Sequence, residues 1–587
     1  MDYARRPLAV DGGGGGDDVP EVHVALLLLP AETEGARGGK AKQPLLLNPG
    51  GPGGSGTLMG LLTAPSIQRI LGPDQPVIGF DPRGVPFTSP TADCWARPAQ
   101  CEGCEEDVIG GLMHRLEWER GNAGYGLVND SDIALRYLAA GQRGVNRLCG
   151  AKGVKDASVL RWAGTTEVAR DMVSIIDAWG RWADQEGVQV EEELKGKLVY
   201  WGFSYGTYLG ATFARMFPDR VGRLLLDGVV DAEFYESPVW RESLLDADKV
   251  LGQFFFFCAQ AGRRCDLYRQ GDVAEDVQKR YEAVMELLKT SPVTFTHPEH
   301  FFPVILQGSL IKTLVFSILY SPVQGFPVMA TILNYIYEGQ YELLGGLFQD
   351  TELLCTISGN PALMGMVTDA QRAIMCSDKT HPMNMTVPEL SSAYEAMAAT
   401  SQFADIWMNL MMKCNGWDVA PGHFVPTDPW PSSSKDGEAR QIETANPILF
   451  LSNTYDPVTP LYAAVKMALK FKGAGLLEQK SQGHCTISAV SRCTGKIVRE
   501  YVNTGRVPPP PTGVDAELKG EWTRCGADEI PWGPRGASAV GFETAEEKET
   551  REAWQHVQRV MGSMQRWGVG EGKGMDRDAV VKLVRKV

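Results

Sequence analysis

The chain has 587 residues, 44% of them hydrophobic, enough to bury a catalytic domain of about 250–300 residues and an inserted second unit. Its 57 basic and 72 acidic residues give a net charge of −15, with no long Lys/Arg cluster and no aromatic-basic interleaving, which argues against a nucleic-acid partner. The longest apolar runs, Val24 to Leu29 and Phe254 to Phe257, are far shorter than the ~18 residues of a membrane-spanning helix, so no membrane span is expected.

Residues 1–20 hold the run Gly12 to Gly16 and read as a flexible leader. Continuous apolar runs of the kind that form buried parallel strands follow at Glu21 to Pro30, Gln43 to Asn48 and Gln75 to Asp81. Residues 91–160 read as an irregular excursion with four cysteines. From Thr165 to Trp182, Val168, Met172, Ile175, Ile176 and Trp179 share one helical face, with Thr165 or Thr166 as cap. Lys197 to Trp201 is the next strand. It runs straight into Gly202-Phe203-Ser204-Tyr205-Gly206 and a helical stretch to Phe217, and Arg223 to Asp227 is another strand. This alternation predicts an α/β fold with a mostly parallel sheet.

The alternation stops near residue 235. The segment 236–435 is helical and aromatic in pattern, and strand character resumes at Pro447 to Leu451. A helix over Pro460 to Phe471 and a short strand over Leu476 to Gln479 lead to Gly483-His484-Cys485. The expected organisation is a core over 21–235 and 436–530, a helical cap inserted over 236–435, and a charged helical tail over 531–587. No internal repeat is present.

The chemistry centres on Gly202-x-Ser204-x-Gly206. A serine at a sharp strand-to-helix turn presents its hydroxyl, and the glycines leave room for the adjoining backbone. In an α/β-hydrolase the acid and then the histidine follow the serine along the chain. Of eight histidines, His484 alone lies in a loop directly after a late predicted strand; His297, His300, His381 and His423 fall in the cap, and His556 in the tail. Asp456, in the loop after Pro447 to Leu451, completes a strand-acid-helix-strand-histidine order. Asp227, at the end of its own strand, is the rival acid. Asn48-Pro49-Gly50-Gly51-Pro52-Gly53-Gly54-Ser55-Gly56 is suited to supply an oxyanion donor, with the N–H of Gly51 as first choice and that of Tyr205 as the second donor. A phosphate cradle is the competing reading of that loop; no G-K-[ST] follows, and no helix of that type is expected there. Arg83, in Asp81-Pro82-Arg83-Gly84, reads as a structural ion-pair partner. Cys101-x-x-Cys104 has no second pair at metal spacing and reads as a bridge or thiols, and Cys485 as a bridge or a buried thiol. This chemistry calls for neither metal nor organic cofactor.

Several separate stretches carry a family resemblance: LLLNPGGPGGSG, GFDPRG, YWGFSYGTYLGATFARMFPDRVGRLLLDGVVD, Cys414-Asn415-Gly416-Trp417, and ILFLSNTYDPVTP with SQGHC. Together, over residues 21–525, they resemble the secreted tripeptidyl aminopeptidase-like branch of the proline iminopeptidase peptidases. The resemblance implies a Ser204, Asp456 and His484 triad, a helical cap over the site, and release of short units from free peptide N-termini. Such an exopeptidase needs a cap acid for the substrate's α-ammonium; Glu236, Glu242, Asp246 and Asp248 are all candidates. A small-ester or lactone hydrolase with the same triad is the alternative, and a non-catalytic binding protein the third reading. Twelve dispersed cysteines and two N-x-[ST] sequons, at Asn129 and Asn384, fit an oxidising compartment. Residues 1–20 contain no signal-peptide pattern. Secretion with a leader upstream of this start is the favoured expectation, and an intracellular protein with free thiols the alternative.

Overall fold

The computed structural model of the protein describes residues 2–7, 21–32, 41–96, 108–153, 158–296, 303–347, 366–422, 429–431, 441–533 and 544–569. The strands are β1 (Asp2–Pro7), β2 (Glu21–Leu29), β3 (Leu45–Asn48), β4 (Val77–Phe80), β5 (Leu198–Phe203), β6 (Val221–Asp227), β7 (Val293–Thr296), β8 (Pro303–Leu306), β9 (Leu449–Tyr455), β10 (Gly475–Gln482) and β11 (Thr523–Gly526). Nine of them form one sheet in the order β1-β2-β4-β3-β5-β6-β9-β10-β11, and β7 and β8 form a separate hairpin. From β4 to β11 every neighbouring pair is parallel, while β1 with β2 and β2 with β4 are antiparallel.

The apolar runs became strands because both their faces are covered. Every residue of β3, β4, β5 and β6 is buried. The helix Gly56–Leu71 packs on β2 and β4, and Thr165–Gln185 packs on Tyr205–Met216. Val168, Met172, Ile175 and Ile176 point inward as the spacing predicts. Its N-cap is Gly164 rather than Thr165 or Thr166, because the Thr165 N–H and hydroxyl both go to Asp378 instead.

One expectation needs correcting, and two others gain detail. The segment 91–160 is largely helical where described, with helices Val108–Ala123 and Ala134–Gly153; the disulfide Cys94–Cys149 ties the second of these back to the core. Of the expected leader, Asp2–Pro7 is the edge strand β1, paired antiparallel along β2, while residues 8–20 with the run Gly12 to Gly16 lie outside the described residues. The C-terminal tail contributes the helix Ala545–Val569, and its charge pattern conceals one apolar face. Ala553, Trp554, Val557 and Met561 on that face are buried against the core, with Trp554 edge-on to Trp201 at 5.8 Å.

Between β6 and β9 the regular elements among the described residues are helices apart from the paired strands β7 and β8, and they form the cap inserted in the α/β core. Two described disulfides lie within it, Cys258–Cys265 and Cys376–Cys414, and Cys493–Cys525 joins the helix Arg492–Thr504 to β11. Cys101, Cys104 and Cys355 lie outside the described residues, so the reading of Cys101-x-x-Cys104 does too. Among the described residues, no helix is long and apolar enough to cross a membrane.

Candidate active site

The parallel strands end on one side of the sheet, the edge where open α/β folds bind ligands. Register brings the ends together: Phe203 of β5 pairs with Asp227 of β6, Asp227 with Leu451 of β9, and Tyr455 of β9 with Gln482 of β10. Ser204 and Asp227 therefore sit at the level of Leu451, and Asp456 and His484 leave β9 and β10 together, four residues further along β9.

Ser204 sits between β5 and the helix Tyr205–Met216 with φ +55° and ψ −124°, a conformation that L-residues rarely adopt. The turn is this tight because its flanks lack side chains: a Cβ on Gly202 would lie 2.4 Å from the Gly206 carbonyl oxygen. Ser204 is partly exposed, whereas Asp456 and His484 are buried. His484 Nδ1 lies 3.0 Å from each oxygen of the Asp456 carboxylate, and the Thr459 hydroxyl lies 3.2 Å from the same nitrogen. The carboxylate also accepts the N–H groups of Val458, Thr459 and Cys485 at 2.9–3.0 Å.

The rival acid, Asp227, has another task. Its carboxylate accepts the Thr486 N–H at 2.7 Å and the Thr486 hydroxyl at 2.6 Å. Its carbonyl accepts the Ser204 N–H at 3.0 Å and the Cys485 thiol at 3.4 Å. Asp227 is thus the junction between the serine turn and the histidine loop. Burial pushes its carboxyl up to about 7, against the lowering effect of the Thr486 bonds.

Other backbone groups of the histidine loop are engaged as well. The Asn453 amide nitrogen reaches the carbonyls of Gly483 at 2.8 Å and Cys485 at 2.7 Å, one on each side of His484. The His484 N–H donates to the carbonyl of Tyr320 in the cap at 2.9 Å. A buried loop needs such pairing, because each orphaned polar group costs about 1–3 kcal/mol. Sequence reasoning passed over Asn453, although it lies three residues before Asp456. Tyr320 has no neighbouring motif that would single it out.

Gly50 and Gly51 have φ values of +92° and +114°. A Cβ on Gly50 would lie 2.9 Å from Ser204 Cβ and 3.0 Å from the Tyr205 nitrogen, so the glycine loop is packed onto the serine turn. The Gly50 N–H is taken by the Asn48 side chain at 2.9 Å. A helix that the sequence reading did not assign begins after this loop, at Gly56. Its N-terminal turn is satisfied internally: Asp81 accepts the Thr57 N–H and the hydroxyls of Ser55 and Thr57 at 2.8–2.9 Å, occupying the place an anion would take. Arg83 is fully buried and holds Asp171 through two nitrogens at 2.6 and 2.7 Å.

Asp456, His484 and Cys485 bring a carboxylate, an imidazole and a thiol within 4.8 Å of one another. Those atoms already bond within the site, the thiol to Asp227 and the imidazole to Asp456. Of the other histidines, His297, His300 and His423 lie outside the described residues, His381 is exposed, and His556 is 3.0 Å from the Ser66 hydroxyl.

The four candidate cap acids are differently engaged. Glu236 accepts the Tyr208 hydroxyl at 2.9 Å and the Trp430 indole N–H at 2.7 Å, Glu242 pairs with Arg241, and Asp248 accepts Gln402. Asp246 pairs with Lys249 and accepts the backbone N–H of Asp456. Near them Asp378, which the sequence reading did not single out, is fully buried. It accepts the Thr165 N–H, the Thr165 hydroxyl and the Tyr235 hydroxyl at 2.6–3.1 Å.

Burial raises the Asp378 carboxyl from 3.8 to about 7, despite those lowering hydrogen bonds. A carboxyl raised on folding holds its proton more tightly in the native state than in the unfolded chain. Its contribution to stability is full below its unfolded value of 3.8 and is lost as the pH rises through about 7. Melting curves from about pH 4 to about pH 8 are therefore expected to show Tm falling more steeply for wild type than for Asp378→Asn. Equal slopes would remove Asp378 as a cause.

Comparison with known proteins agrees with this geometry. A family model described as alpha/beta hydrolase fold matches residues 43–261, and one described as TAP-like protein matches residues 400–514. Together with the sheet order and the serine turn, the first defines the protein as an α/β-hydrolase. The chain is 24% identical over 469 residues to the tripeptidyl aminopeptidase of Streptomyces lividans, covering 79% of this chain and 75% of that protein. It is 24% identical over 473 residues to the serine protease Hip1 of Mycobacterium tuberculosis, covering 79% of each. Carboxylesterase B of Mycobacterium tuberculosis is 25% identical over 508 residues, with 86% of this chain and 84% of that protein covered. The chain thus has the α/β-hydrolase fold, with a C-terminal region similar to the TAP-like model.

Proposed function

We propose that the protein is a serine exopeptidase that releases short units from free peptide N-termini. Ser204 attacks the scissile carbonyl while His484 takes its proton. Asp456 occupies Nδ1, so the other ring nitrogen, Nε2, serves as the base. The N–H groups of Gly51 and Tyr205 receive the oxyanion, and Gly50, packed on the serine turn, brings the first of them close. His484 then protonates the leaving amine, and water activated by the same histidine releases the acyl group. The observation that carries this reading is the buried His484–Asp456 pair, tied through Asp227 to the strained serine turn.

Peptidase rather than general esterase chemistry is supported by the aminopeptidase and protease among the relatives. Four described disulfides and the aminopeptidase resemblance support a secreted protein. The second reading, a small-ester hydrolase with the same site, is favoured by the carboxylesterase relative. An aminoacyl and tripeptidyl amide series, each member with a free or a blocked N-terminus, separates the two. Turnover restricted to free N-termini, and lost in Ser204→Ala, is the expected result. Ser204-dependent turnover of blocked amides or simple esters would discard the exopeptidase reading and keep the site.

A further inference from the structure

The histidine loop is in contact with the cap. Tyr320-Ser321-Pro322 links two cap helices, Gly308–Ile318 and Pro322–Tyr337, and lies directly against Gly483 and His484. A Cβ on Gly483 would lie 2.6 Å from Pro322 Cδ. The Tyr320 carbonyl accepts the His484 N–H at 2.9 Å. The Tyr320 ring meets the imidazole edge to face, with centroids 4.9 Å apart and planes at 75°. Behind it, Phe316 lies 6.0 Å from Tyr320 and packs against Phe403 at 5.1 Å and Trp407 at 6.1 Å. An unbroken aromatic chain thus runs from the interior of the cap to the imidazole.

The Asp456 bonds anchor one edge of the imidazole but leave its plane free to swing about that edge. A ring packed on the imidazole removes that freedom, and Tyr320 is the aromatic ring that contacts it among the described residues. None of the described residues hydrogen-bonds the Tyr320 hydroxyl, so the ring carries the contact. We propose that Tyr320 is a positioning residue: it holds the His484 imidazole in the plane set by Asp456 and makes that plane depend on the packing of the cap. The inference rests on the reading of His484 as general base.

The geometry matters because a displacement of about 1 Å from the reactive arrangement lowers turnover by up to about 100-fold. Tyr320→Leu is expected to lower kcat about 10- to 100-fold with KM within about twofold, since orientation of the base acts on the chemical step. Tyr320→Phe, which keeps the ring, is expected to retain kcat within about twofold. The assay uses p-nitrophenyl acetate and a tripeptidyl amide with the full-length protein, with Ser204→Ala as blank and circular dichroism to check folding. If the leucine variant does not fold, Tyr320→Met is read in the same way. Wild-type kcat in the leucine variant, a loss confined to KM, or equal losses in the leucine and phenylalanine variants would each overturn the proposal. Absence of Ser204-dependent turnover in the wild type overturns the general-base reading and this proposal with it. Ser204-dependent turnover that Tyr320→Leu leaves intact overturns this proposal alone.

Discussion

Ser204→Ala is expected to lower kcat by about 10⁶-fold, leaving only the residual rate that oxyanion donors and substrate positioning provide. The effect is large because alanine removes the nucleophile and with it the covalent route; a water molecule would have to replace it without the same orientation. Stability should change little. The Ser204 backbone N–H remains bonded to the Asp227 carbonyl, and Thr207 still donates to the Ser204 carbonyl. The backbone strain at φ +55° is also retained, since alanine has a Cβ as serine does. Turnover of the free N-terminal amide series and labelling by a fluorophosphonate probe measure the loss. A folded alanine variant with wild-type turnover would remove Ser204 from the mechanism, and with it the exopeptidase proposal.

The second large effect separates two acids. Asp456→Asn is expected to lower kcat by about 10⁴-fold, because the amide favours the wrong tautomer of His484 and cannot stabilise the imidazolium. The asparagine oxygen can still accept the N–H groups of Val458 and Thr459, which share one carboxylate oxygen, so that loop is expected to keep its shape, while the Cys485 N–H loses its acceptor on the other oxygen. Asp227→Asn is expected to cost less than about tenfold, because its oxygen can still receive the Thr486 N–H. Burial also holds the Asp227 carboxyl up to about 7, which suits a structural clamp better than a group that must stay charged beside an imidazolium. Steady-state kinetics on both variants decides the matter, and a reversal of the two magnitudes would transfer the acid's role to Asp227.

Both cases show how unevenly the site was legible. The serine turn could be read locally, because Gly-x-Ser-x-Gly between an apolar strand and a helical run requires the same close packing wherever it occurs. Asp456 and His484 could be read from order along the chain, since both directly follow late parallel strands that end at one level. Chain order favoured Asp456 over Asp227, but the contact with His484 is seen only in the structure. Both acids end neighbouring strands, and only their hydrogen bonds show that one meets the imidazole and the other meets Thr486. The helix after the glycine loop was missed because Pro65 and scattered small residues hid its apolar face. The charged C-terminal helix was expected, but its buried stripe could not be read because it is diluted by charges along the rest of its surface.

By itself the sequence determined the α/β architecture and the candidate positions of the serine turn and the histidine loop. Continuous apolar runs can be satisfied only as strands covered on both faces, and a glycine-flanked serine only as a tight turn. Tertiary structure alone decided which cap residues touch the site. Tyr320 lies 164 residues before His484 in the chain, from 484 − 320, and meets it because β9 and β10, which follow the cap in the chain, return beside β6. Contacts of that kind depend on the packing of whole helices against one another, and no local pattern of residues encodes them.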